Sequence, residues 1–148
     1  MDGIKSSRQI DRRDSLGRAA ARDRTPRILV VEDEDDAREG LRMLLEASGF
    51  DVETAADGVD GLAKLMTRRH DAAVLDIDLP GMNGYEIARR ARATPALRGI
   101  RLIALTGFGR DKDRRAAERA GFNRHLTKPV AFSILRRAIE GAEAPAGA

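Results

Sequence analysis

The feature that most constrains the fold of this 148-residue chain is a repeated alternation between short apolar runs and amphipathic segments. Residues 28–31 and 72–75 are continuous apolar runs, which is the pattern of strands buried on both faces. Segments with apolar residues at helical spacing follow them, and the alternation occurs five times between residues 27 and 142. It predicts an α/β domain whose parallel sheet is covered by helices on both faces.

The pattern also predicts the approximate bounds of the elements. Strands are expected at residues 28–31, 50–54, 72–75, 100–105 and 124–126. The second helix is expected to begin at the capping residue Asp57 and to bury a stripe formed by Val59, Leu62 and Met66. Further helices are expected near residues 85–92 and 112–120.

Charge and composition divide the chain. Residues 1–27 carry eight basic and four acidic side chains, whereas residues 28–148 carry nineteen basic and twenty acidic ones. Large apolar residues are scarce before residue 26, so we predict a disordered basic arm or linker at 1–25, a folded domain at 26–142 and a flexible tail at 143–148. Direct nucleic-acid binding by the arm is not expected, because Asp is interspersed and no aromatic residue is available for base stacking.

The composition excludes several classes of site. The chain has no cysteine, so disulfides, thiolate zinc sites and cysteine nucleophiles are excluded. It has no apolar stretch of the length that spans a bilayer, which is about 18 residues. We therefore expect a cytoplasmic protein without a membrane segment.

Polar residues follow the predicted strands where each strand ends. Glu32 and Asp33 follow the first strand, Asp76 the third, Thr106 the fourth and Lys128 the fifth. Because parallel strands bring their carboxyl ends to one edge, these side chains are expected to share a crevice. Taken singly, each has a simpler interpretation as a solvated loop, a cap, a turn or surface charge, but their combination favours one site.

Three clustered carboxylates repel one another, and a set of oxygen ligands without His or Cys suits Mg2+. A carboxylate can also be the nucleophile in phosphoryl transfer, and Asp76 is the candidate. The Lys128 ammonium and the Thr106 hydroxyl would then face the phosphoryl oxygens. The residues therefore indicate an aspartyl-phosphate site.

Four motifs carry a family resemblance: ILVVED at 28–33, VLDIDLPGMNGYE at 74–86, LIALTG at 102–107, and AGF followed by HLTKP at 120–129. In this order and at these spacings they resemble the response-regulator receiver family, the CheY-like domains of two-component signalling. The resemblance covers residues 27–142. It implies a flavodoxin-like (βα)5 doubly wound fold with five parallel strands in the order 2-1-3-4-5.

The resemblance also implies the roles of the site residues. Asp76 would accept a phosphoryl group from the phosphohistidine of a histidine kinase or phosphotransfer protein. Asp33 would bind Mg2+ directly, Glu32 through water, and Asp78 through its backbone carbonyl. Such a protein is a switch that catalyses only its own phosphorylation and dephosphorylation.

Further implied features concern signalling. Thr106 and Lys128 would contact the phosphoryl group, and Thr106 would couple it to a conformational change. His125 stands at the switch position on the fifth strand, with a partly exposed residue without a switch role as the alternative. The Lys128–Pro129 bond is expected to be cis. A downstream protein would bind the face formed by helix four, strand five and helix five, and the chain would be a monomer or weak dimer.

Other functions have less support in the sequence. The Asp76–Asp78 spacing also occurs in Mg2+-dependent phosphohydrolases, but there it follows the first strand, and the chain lacks the length for a cap domain. A pseudo-receiver that binds without phosphorylation is disfavoured because the acids, Thr106 and Lys128 are all present. No glycine-rich nucleotide loop follows the first strand. The chain is expected to be a stand-alone regulator or the terminal receiver of a hybrid kinase. His70 is predicted to be a polar surface residue, and the arginines near 89–92 and 114–119 to be solvated.

Overall fold

A computed structural model describes residues 24–107, 109 and 111–141. The strands are β1 (Arg27–Val31), β2 (Asp51–Ala55), β3 (Ala72–Asp76), β4 (Arg101–Thr106) and β5 (Arg124–Thr127). They form one sheet in the order β2-β1-β3-β4-β5, and every neighbouring pair is parallel. The predicted fold class and strand order are confirmed. The predicted tail, and all but the last two residues of the predicted arm, lie outside the described residues.

Five α-helices cover the sheet. They are α1 (Asp35–Ala47), α2 (Gly58–Thr67), α3 (Gly84–Ala93), α4 (Asp111–Ala120) and α5 (Phe132–Glu140). Alternate residues of each central strand face opposite sides, so Ile28 and Val30 pack in one core and Leu29 and Val31 in the other. Helices α1 and α5 cover the first core, and α2, α3 and α4 cover the second.

The strand bounds differ by at most one residue from those predicted. Pairing sets them, since Arg27 of β1 pairs with Asp51, and Thr106 of β4 pairs with Thr127. As a result β2 and β4 each begin and end one residue later than the apolar pattern indicates. The short β5 also extends to Thr127.

The predicted core stripe of α2 is partly wrong. Asp57 does cap the helix, its side chain accepting the N–H of Asp60 at 2.8 Å. However, Val59 and Met66 are 60% and 43% exposed. The face of α2 that packs on the sheet is narrower and includes two glycines; its buried residues are Gly58, Gly61, Leu62 and Leu65.

No helix within the described part of the chain is both long enough and apolar enough to cross a bilayer.

Candidate functional site

The predicted acids meet at the carboxyl edge of the sheet. One carboxylate oxygen from each of Glu32, Asp33 and Asp76 lies within 4.8 Å of the others. Glu32 and Asp76 are buried, whereas Asp33 is exposed, so Asp33 lies on the solvent side of the cluster. The three acids come from positions spread over two strands, and the sheet alone brings them together.

Backbone contacts hold the two buried acids in place. The N–H of Glu32 donates to the carbonyl of Ala55 at 3.1 Å, which extends the pairing of β1 with β2 by one residue. The N–H of Ile77 donates to Leu105 at 3.0 Å, which extends β3 beside β4 in the same way. The hydrogen bonds of the sheet therefore set the positions of Glu32 and Asp76.

Lys128 joins the acidic cluster from β5. Its Nζ lies 2.8 Å from Oε1 of Glu32 and 3.1 Å from Oδ2 of Asp76. Its backbone N–H donates to the carbonyl of Thr106 at 2.8 Å, and the Lys128–Pro129 peptide is cis, as predicted. One ammonium group thus bridges two carboxylates at the centre of the site.

The electrostatics of the cluster follow from burial and mutual proximity. Burial raises the pKa of Glu32, and the neighbouring Asp76 carboxylate raises it further, while Lys128 acts in the opposite direction. Burial lowers the pKa of Lys128, but its bonds to Glu32 and Asp76 outweigh this, and the net shift is upward. The lysine therefore remains charged, and its single ammonium lies beside a cluster of three carboxyl groups.

The remaining predicted site residues lie around this cluster. Thr106 is buried at the end of β4, one residue beyond Leu105, which pairs with Asp76. The Asp78 side chain is exposed, and its backbone N–H donates to Oδ1 of Asp76 at 3.1 Å. His125 is half-buried on β5 and pairs with Ala104 of β4, two residues before the end of each strand.

The sequence reasoning missed Arg38 as a site residue. Its guanidinium reaches back from α1 to donate to the carbonyl of Glu32 at 2.9 Å and to that of Asp33 at 3.4 Å. It also forms an ion pair with Asp35. Arg38 therefore fixes the backbone that carries two of the acids, and only its position one turn after the acidic pair could have suggested this.

His70 is buried, so its predicted surface position is wrong. Its Nε2 lies 2.8 Å from Oε1 of Glu53, which also forms an ion pair with Arg68. This cluster lies before β3, at the edge of the sheet opposite to the acids. Glu53 on the neighbouring β2 supplies a partner, and a partner on another strand cannot be recognised from the residues next to His70.

The three arginines of α3 differ in exposure and in their partners. Arg89 and Arg90 are exposed and bind Glu86 one turn earlier, as predicted for a solvated face. Arg92 is half-buried and donates to several backbone carbonyls, so the prediction is wrong for this residue.

A family model described as the response regulator receiver domain matches residues 28–140. The chain belongs to the response-regulator receiver family. Receivers are signalling switches of two-component systems, and they bind Mg2+ in an acidic cleft. The acidic cluster with its bridging lysine lies where such a cleft is expected. The family also implies a histidine kinase partner and a downstream effector.

Two curated relatives are similar to this receiver in sequence. An uncharacterised 14.6 kDa protein of Leptolyngbya boryana is 42% identical over 103 residues, covering 70% of this chain and 79% of the relative. The transcriptional regulatory protein AfsQ1 of Streptomyces coelicolor is 39% identical over 110 residues, covering 74% of this chain. The receiver spans about half of AfsQ1, 48% of its length.

A solved structure gives the same fold. The receiver domain of the sensor histidine kinase PA1611 from Pseudomonas aeruginosa matches with a TM-score of 0.74 and 31% identity, covering 80% of this chain and 97% of that one. That crystal structure has a magnesium ion coordinated in its active-site cleft.

Proposed function

We propose that Asp76 is the phosphoacceptor of this receiver and takes its phosphoryl group from the phosphohistidine of a histidine kinase or phosphotransfer protein. The observation that supports this is the convergence of Glu32, Asp33, Asp76 and Lys128 within hydrogen-bond or metal-ligand distance. Family membership and the magnesium in the related PA1611 receiver support the same role.

In the proposed reaction an oxygen of Asp76 forms a bond to phosphorus as the phosphorus–nitrogen bond of the donor breaks. The electron pair of that bond returns to the imidazole nitrogen of the donor. Lys128 already contacts Oδ2 of Asp76, so its ammonium lies close to the charge that develops on the phosphoryl oxygens. The hydroxyl of Thr106 is proposed to donate to another of those oxygens and to couple phosphorylation to a change in conformation.

The residues fit the predicted Mg2+. Glu32 and Asp33 are proposed to hold the ion together with Asp76 and the backbone carbonyl of Asp78, with Glu32 acting through water. Mg2+ prefers oxygen ligands, and the cluster offers one carboxylate oxygen from each of three acids within 4.8 Å of one another. When bound, the ion supplies positive charge against the phosphoryl oxygens and thereby stabilises the transition state.

The wider role is also a proposal. The chain acts as a switch that catalyses only its own phosphorylation and dephosphorylation, and phosphorylation biases a two-state equilibrium. The face formed by α4, β5 and α5 is proposed to bind the downstream protein, with His125 as its switch residue. A cytoplasmic location and a monomeric or weakly dimeric state stay predictions.

Labelling with radioactive acetyl phosphate in the presence of Mg2+ tests the phosphoacceptor. Asp76→Asn removes the nucleophilic oxygen while keeping the size of the side chain, so we expect no incorporation. Asp60→Asn is the matched control, because it removes an exposed carboxylate on α2 that lies outside the acidic cluster. It should label at close to the wild-type rate.

Two results would contradict the assignment. One is incorporation into the Asp76→Asn protein at the wild-type rate, and the other is a wild-type phosphopeptide that maps to a different residue. Circular dichroism of each variant verifies that the fold is retained.

A further inference from the structure

Residues 77–83, here the β3–α3 loop, follow the phosphoacceptor directly and carry Asp78. The loop is compact, since Leu79 N–H donates to the Ile77 carbonyl at 3.0 Å and Met82 N–H to the Pro80 carbonyl at 3.0 Å. Asp78 lies inside the first of these turns and donates its own N–H to the Asp76 carboxylate. The position of Asp78 therefore depends on what holds residues 80–82.

The start of α2 packs directly against that part of the loop. Gly58, the first residue of α2, is buried, and its N–H lies 3.5 Å from the carbonyl oxygen of Pro80. A Cβ built on Gly58 would lie 1.7 Å from the carbonyl oxygen of Met82 and 2.7 Å from its carbonyl carbon. These are backbone atoms, so no change of rotamer could relieve the clash, and either the loop or the helix would have to shift.

Helix α2 is held more firmly than the β3–α3 loop. The Asp57 side chain caps it by accepting from Asp60, and Gly61 packs on Val31 of β1 so closely that a Cβ there would lie 2.8 Å from Cγ2. A side chain at position 58 would therefore displace mainly the loop.

We propose that Gly58 is a positioning residue for the metal site: by admitting the Met82 carbonyl against the start of α2, it holds the β3–α3 loop where Asp78 and Asp76 can bind Mg2+ together. This rests on the proposed function of the site. Mutating residues that orient metal ligands typically weakens metal binding by about ten-fold or more. Gly58 would act through the loop, since the three atoms nearest to a Cβ built on it all belong to Met82.

The test is the affinity for Mg2+ alone, measured by titration calorimetry without any phosphoryl donor. Gly58→Ala should raise the dissociation constant by about ten-fold. Gly40→Ala is the control for a glycine-to-alanine change in a helix, since a Cβ on this exposed residue of α1 meets nothing within 4 Å. It should leave the dissociation constant near that of the wild type.

A second measurement distinguishes a displaced metal site from a general loss of structure. In Gly58→Ala, labelling by acetyl phosphate should be slow at low Mg2+ and should recover at saturating Mg2+, because the phosphoacceptor itself is intact. Should Gly58→Ala not fold, Gly81→Ala replaces it. Gly81 is exposed with a φ of +79°, so a side chain there strains the loop without a clash in the core.

A wild-type Mg2+ dissociation constant in folded Gly58→Ala overturns the inference, as does an unchanged constant in Gly81→Ala if the first variant does not fold. Failure of the proposed function looks different. In that case the wild-type protein itself would not bind Mg2+, or Asp76→Asn would still be labelled.

Discussion

At the scale of single residues, His125 is a half-buried histidine whose ring nitrogens are unpaired among the described residues. Burial lowers its pKa and the charge of Arg114 lowers it further, while Asp113 acts in the opposite direction. The folded protein therefore favours the neutral imidazole. Since the unfolded chain takes up the proton at a higher pH, acidification through the ordinary histidine range costs folding free energy.

Replacing His125 with phenylalanine should remove this cost. The unfolding free energy of the wild type should fall between about pH 7.5 and pH 5.5, the range around the ordinary histidine pKa, by more than that of His125→Phe. Urea denaturation in the presence of a chelator measures both curves. His70 is present in both proteins, so its contribution cancels in the difference. Parallel curves would contradict the assignment of this pH dependence to His125.

At the scale of elements, Arg92 connects α3 to two other segments. Its Nε donates to the carbonyl of Gly121 after α4 at 2.9 Å, and its Nη1 donates to that of Ile100 before β4 at 2.7 Å. Its Nη2 contacts Oδ1 of Asn123 at 2.8 Å, and the same oxygen accepts the N–H of Leu102 at 2.8 Å. One side chain thus links the loops that enter two neighbouring strands.

Truncating Arg92 should therefore be costly. Arg92→Ala leaves partly buried carbonyls without donors, and we expect a loss of about 2 kcal/mol in unfolding free energy. Arg89→Ala, which removes only an exposed pair with Glu86, should lose at most about 0.5 kcal/mol. Chemical denaturation of the two variants measures both losses of unfolding free energy. Equal losses would show that Arg92 contributes no more than an ordinary surface arginine.

At the scale of the whole molecule, the sequence predicts what depends on periodicity and on strand ends. The order of apolar runs and the acids that follow them are local, so the sheet and the residues of its acidic edge could be predicted. The carbonyl contacts of Arg38, the burial of His70 against Glu53 and the close approach of Gly58 to Met82 could not. The contacts of His70 and Gly58 join segments that only packing brings together, and the Arg38 contacts depend on a side-chain conformation that the local pattern does not specify.

Metal binding also affects the stability of the whole folded protein. An ion that binds the folded protein alone stabilises it, by about 2.7 kcal/mol at a concentration 100 times its dissociation constant. Mg2+ should therefore raise the thermal midpoint of the wild type, and Asp33→Asn should reduce that rise. NaCl at matched ionic strength is the control. An equal rise with NaCl would mean that general screening, rather than a bound ion, stabilises the fold.

The contact between Lys128 and Glu32 joins residues 96 positions apart in the chain, and β3 and β4 lie between β1 and β5 in the sheet. The two residues can therefore come into contact only when β3 and β4 are in place between them. Competence to become phosphorylated thus reports the assembly of β1, β3, β4 and β5. If two fragments divided between β4 and β5 were mixed, the appearance of labelling would time their association.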